Sequence, residues 1–265
     1  MAIVNLNSLR EQKQCGEKFP VVTAYDSSFS KLIENAGIRV ILVGDSLGNV
    51  IQGHSTTIPT TMNDMIYHTK SVRRGSSESL VITDLPFMAY SCEKKSLDNS
   101  ALLIQAGANV VKLEGGSWLC KTVKMLSERG IAVCGHLGLT PQSVHKLSGN
   151  KVQGRSKESA ERIYQDALLL EAAGIDLLVL ECVPTSLAKK ITKAVKIPVV
   201  GIGAGADTDG QVLVIYDMLG LSSRIPSFSK NFLKDTGDIE GALKSYAKQV
   251  KSKEFPSLKH SFSQD

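Results

Sequence analysis

The sequence predicts an α/β protein that folds as a single-domain (β/α)8, or TIM, barrel with extra terminal helices. Its 265 residues are close to the ~250 residues typical of this barrel. Short apolar runs alternate with helical patterns along the chain, as expected for parallel strands that helices cover on both faces. A doubly wound open sheet is the alternative fold. No linker or low-complexity segment divides the chain, so residues 1–265 are assigned to one domain.

Four of the predicted strands follow a glycine that ends a helical pattern. A helix C-terminus commonly requires a residue with positive φ, which glycine adopts without steric cost. An apolar, β-branched run follows each of these glycines, at residues 38–45, 108–115, 131–138 and 175–182. Four further apolar runs bring the total to eight, at residues 21–26, 80–87, 199–205 and 211–220.

Helical patterns separate most of these strands. Clear examples cover residues 63–75, 117–130 and 156–174. The segment between the seventh and eighth strands is too short for a helix, which is an irregularity in either fold. A further helix is predicted over residues 239–252, after the last strand. Repeated βα units in this number favour the barrel.

The charge distribution favours a small anionic substrate over a nucleic-acid partner. The formal net charge is +5, from 31 basic and 26 acidic residues. Basic residues are spread along the chain, apart from a concentration near the C-terminus. The spacing of three lysines is that of one solvated helix face: Lys189, Lys193 and Lys196. We therefore interpret them as a solvated surface and not as a nucleic-acid binding site.

The composition also indicates a cytoplasmic protein without a membrane segment. No apolar run approaches the ~18 residues that span a bilayer, and the first residues contain no apolar signal core. The five cysteines are odd in number, far apart and without a CxxC pair. This argues against a disulfide framework or a zinc site and favours a reducing compartment.

Polar side chains stand at or near the ends of five predicted strands, where a barrel carries its catalytic groups. Four are carboxylates and one is a histidine: Asp45, Asp84, Glu114, Glu181 and His136. Lys112 lies two residues before Glu114 on one strand, so both side chains share a face. Converging carboxylates repel one another unless cations or protons intervene, and hard oxygen ligands favour Mg²⁺. The pattern therefore predicts a metal or acid–base site.

A structural role is the alternative for each of these residues. Asp45 and Asp84 are compatible with capping the next helix, since Asp is a favoured N-cap. Glu114 is compatible with a simple strand end, and Glu181 with pairing to a lysine. Four independent caps on eight strands are not expected, which favours the site. His136 remains open between a site residue and a hydrogen-bonded structural histidine.

Other motifs are expected to carry no chemistry. The glycine-rich segment 201–205 has no helix close behind it, so it is expected to serve tight packing and not phosphate binding. No GxSxG elbow, GxxxxGK[ST] loop or HExxH helix is present. The remaining histidines are expected to be structural or exposed: His54, His68, His145 and His260.

Long motifs in a fixed order resemble the ketopantoate hydroxymethyltransferase family. The resemblance runs from about residue 3 to residue 255. It is carried by residues 23–37, 40–54, 61–75, 81–90, 108–116, 135–144, 151–155, 177–184, 197–205 and 209–220. The chain departs from the family pattern at residues 55–61, 145–150 and 223–232.

The resemblance implies a reaction, its cofactor and its residues. A hydroxymethyl group passes from 5,10-methylenetetrahydrofolate to 3-methyl-2-oxobutanoate and gives 2-dehydropantoate, in pantothenate biosynthesis. By this resemblance, Mg²⁺ is held directly or through water by Asp45, Asp84 and Glu114. The general base is Glu181. The keto acid is expected to contact Asp45, Ser46, Asp84, Lys112 and His136. The family also forms large homo-oligomers, commonly decamers.

Three rival functions remain open from the sequence. The first is a Mg-dependent carbon–carbon lyase of the phosphoenolpyruvate mutase or isocitrate lyase type, but no cysteine lies in an evident glycine-rich lid. The second is a Schiff-base aldolase that uses Lys112, whose neighbouring carboxylate favours the charged ammonium over the neutral nucleophile. The third is a non-catalytic keto-acid or folate-binding scaffold, against which the retention of Glu181 argues.

Overall fold

A computed structural model describes residues 4–264, in which eight parallel strands close into a barrel. Neighbouring strands pair in sequence order, and the first pairs with the eighth, so no edge is left open. The strands are β1 (Phe19–Thr23), β2 (Val40–Val43), β3 (Leu80–Asp84), β4 (Val110–Glu114), β5 (Val133–Gly138), β6 (Leu177–Glu181), β7 (Val199–Ile202) and β8 (Gly210–Leu213). The (β/α)8 barrel is confirmed, and the open-sheet alternative is wrong.

Helices surround the barrel, and additional helices precede the first strand and follow the last one. They are α1 (Leu6–Cys15), α2 (Ser27–Asn35), α3 (Leu47–Val50), α4 (Met62–Gly75), α5 (Glu93–Gln105), α6 (Cys120–Glu128), α7 (Lys157–Ala173), α8 (Thr185–Ala194), α9 (Ile215–Met218), α10 (Leu233–Thr236) and α11 (Ile239–Lys251). Short 3₁₀ turns cover Ser117–Leu119, Pro141–Ser143 and Leu258–His260. No helix within residues 4–264 is long and apolar enough to cross a bilayer.

The glycine pattern located the strands correctly. Gly37, Gly107, Gly130 and Gly174 adopt φ values of 84°, 112°, 78° and 107° just after a helix. The short β7–β8 connection contains no helix, as predicted.

One predicted strand is partly wrong. The run 211–220 is a strand only to Leu213, and α9 begins at Ile215. Ile215, Met218 and Leu219 are all buried. Their spacing by three and four residues is the period of a helix, which a continuous apolar run concealed.

Each strand separates two apolar layers. Alternate side chains point outward and pack under the helices, as Val22, Ile41 and Val111 do. The others point inward and form a barrel-interior cluster. Its buried members are Leu9, Phe19, Val21, Val40, Leu42, Leu80, Ile82, Val110, Cys134, Leu177, Val179, Val200, Ile202 and Val212.

Helix α1 closes the amino-terminal end of the barrel. Leu9 is the buried member of the barrel-interior cluster that comes from a helix. Two basic residues of α1 fix its position at residues that immediately precede strands. Arg10 Nη2 lies 2.6 Å from Asp176 Oδ1, and Lys13 Nζ lies 2.8 Å from Asp209 Oδ2.

The last long helix holds the seam between the first and last strands. The Tyr246 hydroxyl on α11 lies 3.0 Å from the Val21 carbonyl oxygen on β1 and 2.7 Å from that of Gln211 on β8. Tyr246 is fully buried. Side chains from the first and the last long helix thus hold the amino-terminal end of the barrel and its β1–β8 seam.

We expect Leu9→Ala to lower the free energy of unfolding by about 2–5 kcal/mol, because it opens a cavity in a packed core. Urea denaturation measures the loss. Leu258→Ala is the matched control, since Leu258 is 94% exposed and its truncation should change stability by less than about 0.5 kcal/mol. Equal midpoints for the two variants would contradict the assigned role of Leu9.

Candidate active site

The inward-facing rows change from apolar to polar toward the carboxyl ends of the strands. On β3, Leu80 and Ile82 belong to the barrel-interior cluster and Asp84 follows on the same face. The same change occurs on β4, β5 and β6. Their polar ends are Lys112 and Glu114 on β4, His136 on β5 and Glu181 on β6. The apolar lower rows support a polar cup above them.

Strand register places these side chains next to one another. Asp84 on β3 is directly paired with Lys112 on β4, and Glu114 on β4 with His136 on β5. Paired residues of parallel strands point to the same side of the sheet. Asp45 and Ser46 follow β2 immediately.

All the residues predicted for the site line one cavity of ≈ 990 Å³ at this end of the barrel. Asp45, Asp84, Lys112, Glu114 and His136 are buried, with no more than 4% of each exposed. Glu181 differs, because 15% of its side chain is exposed. Ser46 also lines the cavity, and its hydroxyl lies 2.9 Å from that of Tyr25.

The capping alternative does not apply to either aspartate. Helix α3 has Ser46 at its N-cap position and no side-chain cap, and α5 begins only at Glu93. Asp45 and Asp84 are thus free to present their carboxylates to the cavity. Gly44 keeps that space open, because a Cβ atom there would lie 2.6 Å from Ser46 Oγ.

Gln142 holds two of the carboxylates in place, and sequence reasoning did not single it out. Its side-chain amide donates to Asp45 Oδ2 at 2.8 Å, and its backbone N–H donates to Glu114 Oε2 at 3.0 Å. The Tyr90 hydroxyl donates to Gln142 Oε1 at 2.6 Å. The available signal was the position of Gln142 in the family-like stretch 135–144, just after the strand that carries His136.

Asp84 and Glu114 each keep a second oxygen that contacts only charged or ionisable neighbours. Asp84 Oδ2 accepts from the Asp45 N–H at 3.1 Å. Asp84 Oδ1 and Glu114 Oε1 are buried and accept no hydrogen bond of regular geometry from residues 4–264, although Lys112 Nζ lies 3.2 Å from the first and His136 Nδ1 lies 3.2 Å from the second. These ion-pair contacts leave lone pairs on both oxygens that a bound group can use.

Lys112 lies among the carboxylates. Its ammonium Nζ is 3.2 Å from Asp84 Oδ1, 3.9 Å from Glu114 Oε1 and 3.1 Å from His136 Nδ1. Burial alone would lower the pKa of Lys112, but Asp84, Glu114 and Asp45 outweigh it and raise that pKa. Lys112 is therefore a permanently charged group here.

One ammonium does not balance three carboxylates. Burial raises the pKa of Asp45 well above its usual value, and the charges of Asp84 and Glu114 raise it further. Burial also raises the pKa of Asp84, although Lys112 opposes this. In Glu114 the contacts with His136, Lys112 and Gln142 outweigh burial and lower the pKa. Ionising all three carboxylates at once is therefore unfavourable, most of all at the two aspartates, unless a further cation or proton compensates their charge.

His136 connects this cup to Glu181. Its Nδ1 atom lies 3.2 Å from Glu114 Oε1, and its Nε2 atom lies 3.3 Å from Glu181 Oε2. Burial and Lys112 lower the pKa of His136, but Glu114 and Glu181 together raise it above its usual value. His136 lines the cavity, and its role as a site residue stays a prediction.

The close packing predicted for the glycine-rich segment is confirmed. Segment 201–205 is closely packed, since a Cβ atom at Gly201 would lie 2.6 Å from Thr208 Oγ1 and one at Gly205 would lie 2.5 Å from Thr185 Cγ2. The three helix-spaced lysines are exposed. Of the other histidines, His54 and His145 are exposed, and His68 and His260 are half-buried. His54 lines the cavity, so its role stays open.

Comparisons with known proteins agree over almost the whole chain. The model of the ketopantoate hydroxymethyltransferase family matches residues 3–258. A relative from Erwinia tasmaniensis named 3-methyl-2-oxobutanoate hydroxymethyltransferase is 55% identical over 263 residues, which are 99% of this chain and 100% of that protein. A relative of the same name from Psychromonas ingrahamii is 56% identical over 263 residues, with the same coverage.

A solved structure resembles the chain at much lower identity. It is 2,3-dimethylmalate lyase, described as a PEP mutase/isocitrate lyase superfamily member, with a TM-score of 0.58 and 16% identity over 81% of this chain and 82% of that one. This likeness shows the barrel fold alone.

Because the family model and both full-length relatives cover nearly the entire sequence, the chain belongs to the ketopantoate hydroxymethyltransferase family.

Proposed function

We propose that this chain transfers a hydroxymethyl group from 5,10-methylenetetrahydrofolate to 3-methyl-2-oxobutanoate, giving 2-dehydropantoate for pantothenate biosynthesis. One observation carries the proposal. The polar residues of the family-like motifs, which are scattered from residue 45 to residue 181, meet in a single cup at the catalytic end of the barrel. The overall change consumes one water, which supplies the hydroxyl oxygen, and releases tetrahydrofolate.

The cup fits a Mg²⁺ ion held by Asp45 and Asp84, with Glu114 reaching it directly or through water. Among residues 4–264, no three His, Cys, Asp or Glu side chains lie close enough to enclose an ion by themselves. Mg²⁺ does not require such a cage, because it usually takes one or two carboxylates and keeps sites for water and substrate. Asp84 Oδ1 has an ion-pair contact with Lys112 and no hydrogen bond of regular geometry, and the raised pKa values of Asp45 and Asp84 show that their ionised forms lack compensating positive charge; both observations support this fit. When bound, Mg²⁺ supplies a Lewis acid for the oxygens of the keto acid.

Lys112 and Ser46 are proposed to bind the carboxylate end of the keto acid, beside Asp45, Asp84 and His136. The Lys112 ammonium is the positive charge nearest the centre of the cup, and its contacts with three neighbours keep it in place. The Ser46 hydroxyl, positioned by Tyr25, is a small donor at the end of β2. These two groups fix the substrate so that its C3 carbon faces β6.

Glu181 is proposed to be the general base. It removes the proton from C3, and the electron pair of that C–H bond then attacks the one-carbon unit of the folate. A positioned carboxylate typically accelerates proton transfer by ~10²–10⁴-fold. Its contact with His136 orients the carboxylate, and its partial exposure lets it return the proton to water.

The rival functions receive less support from this geometry. A Schiff-base aldolase needs a neutral lysine, whereas the surrounding carboxylates raise the pKa of Lys112. The lyase alternative rests on fold likeness at 16% identity, whereas relatives at 55–56% identity carry the transferase name. A non-catalytic scaffold leaves the arrangement of Glu181 and His136 without a purpose.

Removal of the metal should abolish transfer, and added Mg²⁺ should restore it. Asp84→Asn keeps the side-chain volume but removes the charge, so we expect a loss of activity of at least ~10²-fold, in line with the several kcal/mol that a Lewis acid contributes. Asp98→Asn, an exposed position on α5, is the control. Full activity in excess EDTA would remove the metal from the mechanism.

Enolisation should be separable from transfer. In D₂O with Mg²⁺ and no folate, the protein should exchange the C3 proton of 3-methyl-2-oxobutanoate for deuterium, as measured by NMR. Glu181→Gln should slow this exchange by ~10²-fold or more, while calorimetry still detects keto-acid binding. Glu158→Gln, whose side chain is 88% exposed, should exchange like the wild type. Rapid exchange in Glu181→Gln would transfer the role of base to His136.

Assembly and location complete the proposal. We propose a homo-oligomer, a decamer as is common in the family, that works in the cytoplasm, where its five free thiols stay reduced. Light scattering should report a particle close to ten times the 28.5 kDa of one chain. A clean monomer at micromolar concentration is the result that contradicts the assembly.

A further inference from the structure

The cavity extends beyond the cup that the keto acid occupies. Its volume of ≈ 990 Å³ is at the upper end of the ~300–1,000 Å³ that accommodate drug-sized ligands, and a five-carbon acid is far smaller. The additional space lies beside the end of β8. Residues on this side include Tyr216, Asp217, Leu221, Ser222, Phe228 and Phe262.

Asp217 is the charged group buried in this second half. It lies on α9, in the run that sequence reasoning had assigned to a strand, and only 8% of it is exposed. The Ser222 hydroxyl donates to its Oδ1 at 2.5 Å. The Oδ2 atom accepts no hydrogen bond from residues 4–264, although Asp217 lines the cavity. This oxygen is not among the fully buried unpaired atoms, so a donor that enters the cavity can reach it, and a carboxylate oxygen can accept two hydrogen bonds.

The electrostatic surroundings agree with this. Burial raises the pKa of Asp217, the Ser222 hydroxyl lowers it, and the Glu181 charge raises it again. None of these influences is a positive charge. The charge of Asp217 also raises the pKa of Tyr25, so Asp217 lies within electrostatic reach of both the proposed base and the β1 side of the cup. Two N–H donors at this point would stabilise the carboxylate.

We propose that Asp217 binds the reduced pterin ring of the folate co-substrate. The 2-amino-4-oxopyrimidine part of that ring presents two parallel N–H groups, from N3 and the 2-amino nitrogen. A carboxylate accepts such a pair through its two oxygens. This inference rests on the proposed function, and it assigns the larger substrate to the β8 side of the cavity and the keto acid to the β3–β5 side.

The walls of this half suit a flat ring. Phe228 and Phe262 meet edge to face with centroids 6.5 Å apart, and both pack on Gly203, where a Cβ atom would lie 3.1 Å from each ring. Leu221 adds an apolar surface beside them. Arg224 lines the same cavity and is exposed. It is therefore placed to meet the carboxylates of the glutamate tail where that tail leaves the protein.

Asp217 has an alternative role that the test must separate. Its contact with Ser222 connects α9 to the segment that follows it, so Asp217 could serve only to hold that segment. Ser222→Ala removes the connection and keeps the carboxylate. Asp217→Asn keeps the shape of the side chain but replaces one acceptor oxygen with an NH₂ group. That group is a donor and cannot accept a hydrogen bond from the pterin N–H groups.

Steady-state kinetics and calorimetric titration with tetrahydrofolate, in the presence of Mg²⁺ and keto acid, test the proposal. Asp217→Asn should raise the KM for methylenetetrahydrofolate and the Kd for tetrahydrofolate by ~10–100-fold, the size expected for a hydrogen bond to a charged group. The KM for the keto acid and the folate-independent C3 exchange should change far less than the folate constants, because only the charge of Asp217 reaches Glu181. Ser222→Ala should change folate binding much less, and Asp235→Asn, an exposed position on α10, should have no effect.

A folate analogue gives a sharper test. 2-Desamino-2-methyl-tetrahydrofolate lacks the amino group that Asp217 is proposed to bind. The wild type should bind it more weakly than tetrahydrofolate by a similar factor, whereas Asp217→Asn should discriminate little between the two. Two results would overturn the assignment. One is that the variant and the analogue lower folate affinity additively; the other is that Ser222→Ala and Asp217→Asn lower it equally.

The outcomes distinguish this inference from the proposed function. If the wild type shows neither C3 exchange nor transfer, the proposed function fails. If the wild type shows both and Asp217→Asn keeps wild-type affinity for folate, only the pterin site fails. Because C3 exchange reports an intact keto-acid cup, a misfolded variant is recognised by its loss.

Discussion

Three carboxylates inside the barrel share one ammonium group, and the charge of Lys112 is what allows them to be buried together. Moving an ion out of water costs several kcal/mol even after the protein relaxes. Lys112 offsets this cost by standing close to Asp84 and Glu114 at once. The offset is incomplete, so Asp45 keeps a strongly raised pKa. A further cation at this point would balance the remaining carboxylates, which is the role proposed for Mg²⁺.

The lower half of the barrel makes this arrangement rigid. Below the polar rows, apolar side chains from all eight strands fill the interior, and Leu9 closes it from beneath. Packed interiors resist displacement, so the polar groups above them keep fixed directions. Gln142 adds the final restraint, because one residue holds both Asp45 and Glu114. The geometry of the cup therefore depends on close packing below it and on the side-chain and backbone contacts of Gln142 above it.

Much of this could be predicted from the sequence, for reasons that also explain the failures. Glycines after helices marked the strands, and carboxylates that end apolar runs marked the site, because both signals are local. Gln142 was missed because its role depends on partners 28 and 97 residues away. The end of β8 was missed because a buried helix turn and a buried strand both read as a continuous apolar run. Asp217 was consequently placed in a strand, and its position in the cavity emerged only from the fold.

The hydrogen bonds of Tyr246 have a consequence for synthesis on the ribosome. β1 is made first, but its second neighbour, β8, begins at Gly210, and the hydroxyl that spans the two strands belongs to residue 246. The barrel therefore cannot be locked until almost the whole chain has emerged. β2 can pair with one side of β1 early, but the other side keeps unpaired backbone until β8 is made. An exposed edge of this kind is prone to aggregation, which chaperones limit. Because β8 and α11 complete the barrel, the nascent chain cannot close it early. The finished barrel, in return, has no open strand edge.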